Sequence, residues 1–525
     1  MKAKSNTAKT LKNSIFAVVA QIISFLLVFI NRKVFIIFLD IEYLGYQSLF
    51  GNVFTLLSIA ELGIGSAISF HLYKEIVHNN TDEIGKLMYV YKMIYRIVAI
   101  IVLTIGCGCY FLLPFIIKET SLSPGYIAII YFLQLGSIFF GYFLSYKKIL
   151  YTASQQEYKI STVNLIVSVS IQILQLGFLV IFKNYLLYLI INLSTGIIEN
   201  LILSYMIDKQ YPFLRNKHKI TKEYLKERDF FQNSKNVVVH RLAYAVYDGT
   251  DNIVISSFLG IGYVALYGNY LTVKTGVTKL LIRQLLSPLQ ATIGNIVYSD
   301  RSKEDLWTQF KMFDMFSFFF ATFISLGFFV FYQPFIQLWL GEKYLLPFSF
   351  VVLFCVTIYF GVVWEMVYRY RSVFGDFKQD MWFMVASAIL NIAISIVGAI
   401  YLGITGVQLG TLVAFFPIAY GRIRFIVKNY FGKSMVHYFL KHFLLFLLAA
   451  AEGVACYFIT RNMPVNIPYF LLRGVVWLFL PLTVGVIVFY RNEDFKEMLK
   501  YFRNIFIILF GKLKRKKKKN EGEQL

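Results

Sequence analysis

The sequence predicts an all-α integral membrane protein with fourteen transmembrane helices. Three observations carry this. The chain of 525 residues is 58% hydrophobic and only 15% charged, whereas a soluble domain is about 25% charged. It contains fourteen mostly apolar runs of the roughly 20 residues that a bilayer requires. Its basic residues also sort to one side of those runs, as the positive-inside rule demands.

The runs cover about 13–38, 44–71, 86–116, 125–147, 160–182, 185–207, 230–258, 263–296, 306–332, 345–368, 381–401, 405–428, 438–460 and 467–490. The first follows Lys2, Lys4, Lys9 and Lys12. It is too long for a signal h-region and lacks a small-residue cleavage site, so it reads as the first span. With the N-terminus inside, the cytoplasmic segments hold 39 of the 52 Lys and Arg residues, and the opposite side holds six. An even helix count keeps the basic C-terminal tail inside. Cys107, Cys109, Cys355 and Cys456 all lie in apolar runs without metal-type spacing, and read as small apolar side chains.

The longest polar segment, 209–228, is basic and divides the chain in the middle. Phe38-Leu39-x-Ile41-x-Tyr43 recurs as Phe258-Leu259-x-Ile261-x-Tyr263. Leu49-Phe50-Gly51-Asn52 recurs as Leu266-Tyr267-Gly268-Asn269, and Glu157-Tyr158-Lys159 as Asp376-Phe377-Lys378. Offsets near 220 residues, with six runs in each half, predict two parallel six-helix repeats. The expected divisions are an N-terminal lobe at 1–208, the linker at 209–228, a C-terminal lobe at 229–430 and two further helices at 431–491. The last division, 492–525, places Phe495, Met498, Leu499, Phe502, Ile505, Phe506 and Leu509 at helical spacing. It reads as an amphipathic interfacial helix followed by a polybasic tail, which suits anionic lipid and not nucleic acid.

Seven basic residues fall inside the runs: Arg96, Lys235, Arg241, Lys274, Lys279, Arg283 and Arg473. Five of them belong to the seventh and eighth runs, which form a hairpin turning at Gly260-Ile261-Gly262. A charge at this depth costs about 2.5–3.5 kcal/mol on insertion scales. Lys235 and Arg473 lie near run ends and suit snorkelling. In an antiparallel hairpin, matched depth pairs Asp248 with Lys279, Asp251 with Lys274 and Arg241 with Arg283. The acidic pairs can neutralise one another, which leaves Arg241 and Arg283 as an uncompensated positive pair. Periodicity puts Arg241, Tyr244, Asp248 and Asp251 on one helix face. The structural alternative for this set is an ion-pair network that only fixes helix packing. In the first half Arg32 is either a site residue or an outer-leaflet anchor, and mid-run Glu61 is a proton or sodium site or a packed side chain.

Three stretches carry a family resemblance: Glu61 to Phe70 (ELGIGSAISF), Thr250 to Gly260 (TDNIVISSFLG), and Asn391 with Gly403 to Gly410 (GITGVQLG). With the helix count and the repeats, they resemble the bacterial O-antigen and capsular polysaccharide flippases. That family belongs to the multidrug/oligosaccharidyl-lipid/polysaccharide exporter superfamily. The resemblance implies a V-shaped pair of lobes with alternating access. It also implies transport of undecaprenyl-pyrophosphate-linked oligosaccharide across the cytoplasmic membrane, with helices one, two, seven and eight on the central cavity. A pyrophosphate is a compact polyanion, and buried guanidinium and ammonium groups bind it. Arg241, Arg283, Lys279, Lys274 and Arg32 are therefore the expected substrate contacts, with Asp248, Asp251 and Glu61 as coupling or ion-pair residues.

The chain has no P-loop, HExxH or serine-elbow motif, so neither ATP hydrolysis nor covalent catalysis is expected. His240 reads as a packed side chain or a titrating neighbour of Arg241. Coupling to Na+ or H+ or to membrane potential takes the place of a cofactor. Expected partners are the lipid-linked substrate, membrane lipids and the polymerase and glycosyltransferase machinery. Three alternatives stand: a multidrug/cation antiporter, a lipid-linked peptidoglycan precursor flippase, and a membrane polymerase or ligase. The basic hairpin disfavours the first, and the short outer loops disfavour the last.

Overall fold

The computed structural model describes residues 22–57, 64–216, 235–282, 286–375 and 378–504, with single positions at 220, 224 and 507. The described residues are helical throughout, with no strand. In lipid, a helix satisfies every backbone group within its own segment. In chain order, α1 spans 22–38. It is followed by α2 (Glu42–Leu57), α3 (Ile64–Val77), α4 (Thr81–Tyr110), α5 (Leu113–Ile116), α6 (Pro124–Ser145), α7 (Lys148–Ala153), α8 (Glu157–Phe182) and α9 (Tyr185–Gln210). Next come α10 (Lys235–Gly249), α11 (Asp251–Leu259), α12 (Ile261–Leu281), α13 (Ser287–Val297), α14 (Lys303–Trp339), α15 (Phe348–Val363) and α16 (Glu365–Phe374). The chain continues through α17 (Met381–Leu402), α18 (Ile404–Ile423), α19 (Met435–Thr460) and α20 (Ile467–Phe489), and a final helix α21 covers 493–504.

Among the described residues nine helices are long and apolar enough to cross a membrane, and α15 with α16, bent by 43°, makes a tenth. The other four expected spans fall on α1, α2–α3, α10–α11 and α12–α13. Each of these is interrupted by a turn or runs into residues outside the described set. The chain is a multi-pass membrane protein, and the count of fourteen remains an expectation from the sequence.

Local chemistry explains where helices start and stop. Asn80, Ser123, Asn184, Ser302, Ser434 and Asn466 each accept a backbone N–H of the first turn, which satisfies one of the orphan donors at a helix start. Gly260, with φ of 95°, separates α11 from α12, so the hairpin turns where the sequence placed it. A side chain at 260 would also come within 3.2 Å of the Glu119 carboxylate. The GITGVQLG stretch is explained by close packing. A Cβ on Gly406 would overlap Gly398, and one on Gly410 would overlap Ser395.

The chain forms two compact units. Unit 1 holds residues 1–276 and 384–410, and unit 2 holds 277–383 and 411–525. In unit 1, α8 packs on α9, α4 on α6, and α2 against α10 and α11. The core includes Leu87, Tyr91, Tyr95, Tyr151, Leu203 and Ile207.

Unit 2 is built round α14, a 37-residue helix that packs against α15, α19 and α20. Phe495 and Phe502 of α21 lie against Phe319 and Phe316 of α14, and Phe495 and Met498 are buried. The apolar face foreseen for lipid is therefore partly covered by the protein itself. The basic tail at 512–519 lies outside the described residues. Arg473 reaches the turn between α19 and α20. It is buried and donates to the carbonyls of Thr460, Met463 and Pro464, closing the end of α19.

Candidate substrate site

The site is best defined in unit 1, where α1 meets α12. Arg32 Nε donates to Asn269 Oδ1 at 2.5 Å, and its Nη2 donates to the Ala265 carbonyl at 3.3 Å. Both acceptors are neutral. A glycine at 268 permits this approach, because a Cβ there would sit 3.0 Å from Arg32 Nη2 and 3.5 Å from Ser48 Oγ. The repeated Gly-Asn pair thus acquires a physical meaning, since Gly268 makes room and Asn269 holds the guanidinium. In the matching pair, Asn52 Nδ2 donates to the Gly249 carbonyl at 3.3 Å.

Arg32 opens onto a cavity of about 290 Å³ lined by Asn31, Gln47, Gln172, Gln175, Asn192 and Tyr188. Among the described residues, Asn31 Oδ1, Gln172 Oε1 and Gln175 Nε2 of its lining are buried without a partner, as is Nδ2 of Asn269, which holds Arg32. Buried polar groups are paired in the great majority of cases, so orphaned donors and acceptors beside a cation mark a place for a polar guest. The arrangement can receive an anionic group on Arg32 and hydroxyl groups on the amides. The sequence reading named Arg32 and missed these amides because it tracked charge. Their signal was present as Gln172 with Gln175, and Asn192 with Thr195, at helical spacing in apolar runs.

The hairpin residues are placed as follows. Asp251 is buried and accepts from Tyr267 Oη at 3.2 Å. Lys274 lies within electrostatic reach of both Asp248 and Asp251. Arg241, Tyr244 and Asp248 share an exposed face of α10. Asp251, which follows the interruption of the helix at Thr250, is buried where those three are exposed. Thr250 Oγ1 is held by the Val246 carbonyl at 2.8 Å and Asn391 Oδ1 at 3.0 Å, tying two of the quoted stretches together. His240 is buried. Lys279 lies on α12, its side chain outside the described set, and Arg283 and Glu61 lie outside the described residues.

Unit 2 carries buried charge that the sequence reading assigned to loops. Asp380 pairs with Arg371 and, at 3.1 Å, with Arg422 Nε. Arg369 pairs with Glu365 at 2.7 Å. No group of three metal-ligating side chains occurs among the described residues.

Helices of this length around a polar, cation-bearing cavity define a multi-pass membrane protein of transporter architecture. The fold is similar to that of the lipid II flippase MurJ in its inward closed conformation, with a TM-score of 0.64 at 15% identity, covering 91% of this chain and 99% of MurJ. It is also similar to the Vibrio cholerae MATE transporter VcmN, with a TM-score of 0.51 at 15% identity over 80% of this chain and 98% of that one. An inward-facing multidrug resistance MATE transporter of the MOP superfamily gives 0.50 at 15% identity over 78% and 98%. No curated protein sequence matches the chain. Residues 10–293 match the family described as polysaccharide biosynthesis protein, and the chain belongs to that family.

Proposed function

We propose that the protein is a flippase that carries undecaprenyl-pyrophosphate-linked oligosaccharide repeat units across the cytoplasmic membrane for surface polysaccharide, O-antigen or capsule. The observation that carries this reading is Arg32, a guanidinium that among the described residues donates to two neutral oxygens, beside a cavity lined by amides. Such a site suits a phosphate next to sugar hydroxyls. It suits a cationic drug poorly, which argues against a multidrug/cation antiporter. Membership of a polysaccharide biosynthesis family supports the sugar part of the substrate.

Arg241, Arg283, Lys279 and Lys274 are proposed as further phosphate contacts, with Arg241 and Arg283 on the cytoplasmic side of the midplane. Asp248, Asp251 and Glu61 are proposed as their ion-pair or coupling partners. The N- and C-termini are proposed to be cytoplasmic, with lobes at 1–208 and 229–430. A lipid-linked peptidoglycan precursor carries the same pyrophosphate, and the likeness to MurJ supports it as the second reading. The test is deletion of the gene with readout of both polymers. Loss of surface polysaccharide with intact peptidoglycan supports the first reading. Accumulation of peptidoglycan precursor with intact surface polysaccharide replaces it with the second.

A further inference from the structure

Unit 2 contains a further buried carboxyl, Glu452. On α19, Tyr438, His442, Leu445, Ala449, Glu452 and Cys456 are buried, forming one stripe at helical spacing. Near the start of the helix, Asp314 of α14 is fully compensated. It accepts from Tyr438 Oη at 2.7 Å and from Lys441 Nζ at 3.1 Å, and lies 3.2 Å from His442 Nε2. Glu452 is ten residues further on, about 15 Å along the axis, and is only 5% exposed. No hydrogen bond or ion pair joins it to any described residue, and its Oε2 is buried without a partner.

Beside Glu452 lies a cavity of about 200 Å³ walled by six phenylalanines, and among the described residues Glu452 is its one ionisable lining residue. Among the described residues, the titratable groups facing Glu452 are few. Tyr359 of α15 feels both Glu452 and Asp314, and its hydroxyl is buried without a partner. Cys456 lies one turn along the same helix. From α14, Thr322 presents a buried, unpartnered hydroxyl, and α20 contributes only Pro481, Leu482, Gly485 and Phe489 to the cavity wall.

A carboxylate removed from water needs a cation or several donors to offset desolvation, and Glu452 has neither. A metal cation in its place would need several convergent oxygens, whereas the cavity wall offers Thr322 and phenyl rings. We propose that Glu452 is a proton-binding carboxyl, neutral in this conformation, and that its proton is the ion that drives transport. Tyr359, which feels both Glu452 and Asp314, is the group proposed to relay that proton from the start of α19. Water gives up the proton on one side of the membrane and receives it on the other, so no further reactant is needed. The driving role rests on the transport reading above, but the protonation state does not.

The test is infrared difference spectroscopy on the full-length protein in lipid at neutral pH, with proton-gradient-driven uptake measured in parallel. The expected result is a protonated carboxyl band in the native protein that is absent from Glu452→Gln, an isosteric change. Gradient-driven transport is lost in that variant and slowed in Tyr359→Phe. Absence of the band overturns the proton site, whatever the protein carries. A band with undiminished gradient-driven transport in Glu452→Gln overturns the driving role.

Discussion

Arg32 Nε and Asn269 Oδ1, 237 positions apart in sequence, meet at 2.5 Å. The bond fixes a cation without neutralising it. Charge therefore stays available to a guest, while the neutral amide supplies the orientation. A carboxylate in place of Asn269 would orient the guanidinium equally well and extinguish its field.

That distinction gives the first prediction. Asn269→Asp should leave thermal stability close to native and abolish transport, because the new ion pair competes with the substrate phosphate. Asn269→Leu should lower both. Thermal melting and surface polysaccharide output, measured on the same variants, separate the two effects.

Arg32→Ala removes a charge-assisted hydrogen bond to the guest, worth about 1.5–3 kcal/mol. Binding of a soluble pyrophosphate-sugar headgroup analogue should weaken by roughly 10- to 100-fold. Arg32→Lys should recover part of this, since an ammonium lacks the planar fork. Calorimetric titration reads the change directly.

Gly268→Ala should shift the Arg32 guanidinium by a few tenths of an ångström, because the added Cβ meets Nη2 at 3.0 Å. Overpacking of this kind costs about 1–3 kcal/mol. Headgroup affinity should fall in this variant while the protein still inserts and folds, as gel filtration in detergent will show.

The Arg371–Asp380–Arg422 group should behave as a structural element of unit 2. Asp380 is fully buried between two guanidinium groups, and removing it strands two positive charges. Asp380→Ala should destabilise by about 3–5 kcal/mol, seen as a large fall in melting temperature. Arg422→Ala should cost less, since Arg371 remains to pair the carboxylate.

Much of this was legible in the sequence, and the misses share a cause. The hairpin turn was readable because Gly260 and Gly262 interrupt two long apolar runs, and a left-handed backbone at 260 needs glycine. Arg32 was visible as a charge near a span. Its holder, Asn269, surfaced only as a repeat signature, because an uncharged amide does not disturb hydropathy. Asp251 is buried while Arg241, Tyr244 and Asp248 are exposed, a difference set by packing that periodicity does not carry. Asp314, His442 and Glu452 escaped because their partners, or their lack of partners, depend on packing between α14, α15 and α19.

Transport in proteoliposomes decides whether Arg32 handles a lipid-linked sugar. Purified protein would be reconstituted with an undecaprenyl-pyrophosphate-linked oligosaccharide, and its exposure in the opposite leaflet followed with a membrane-impermeant lectin. We expect translocation by the native protein and none by Arg32→Ala or Asn269→Asp, with all three present at equal amounts. Native-rate translocation by Arg32→Ala would refute the assignment.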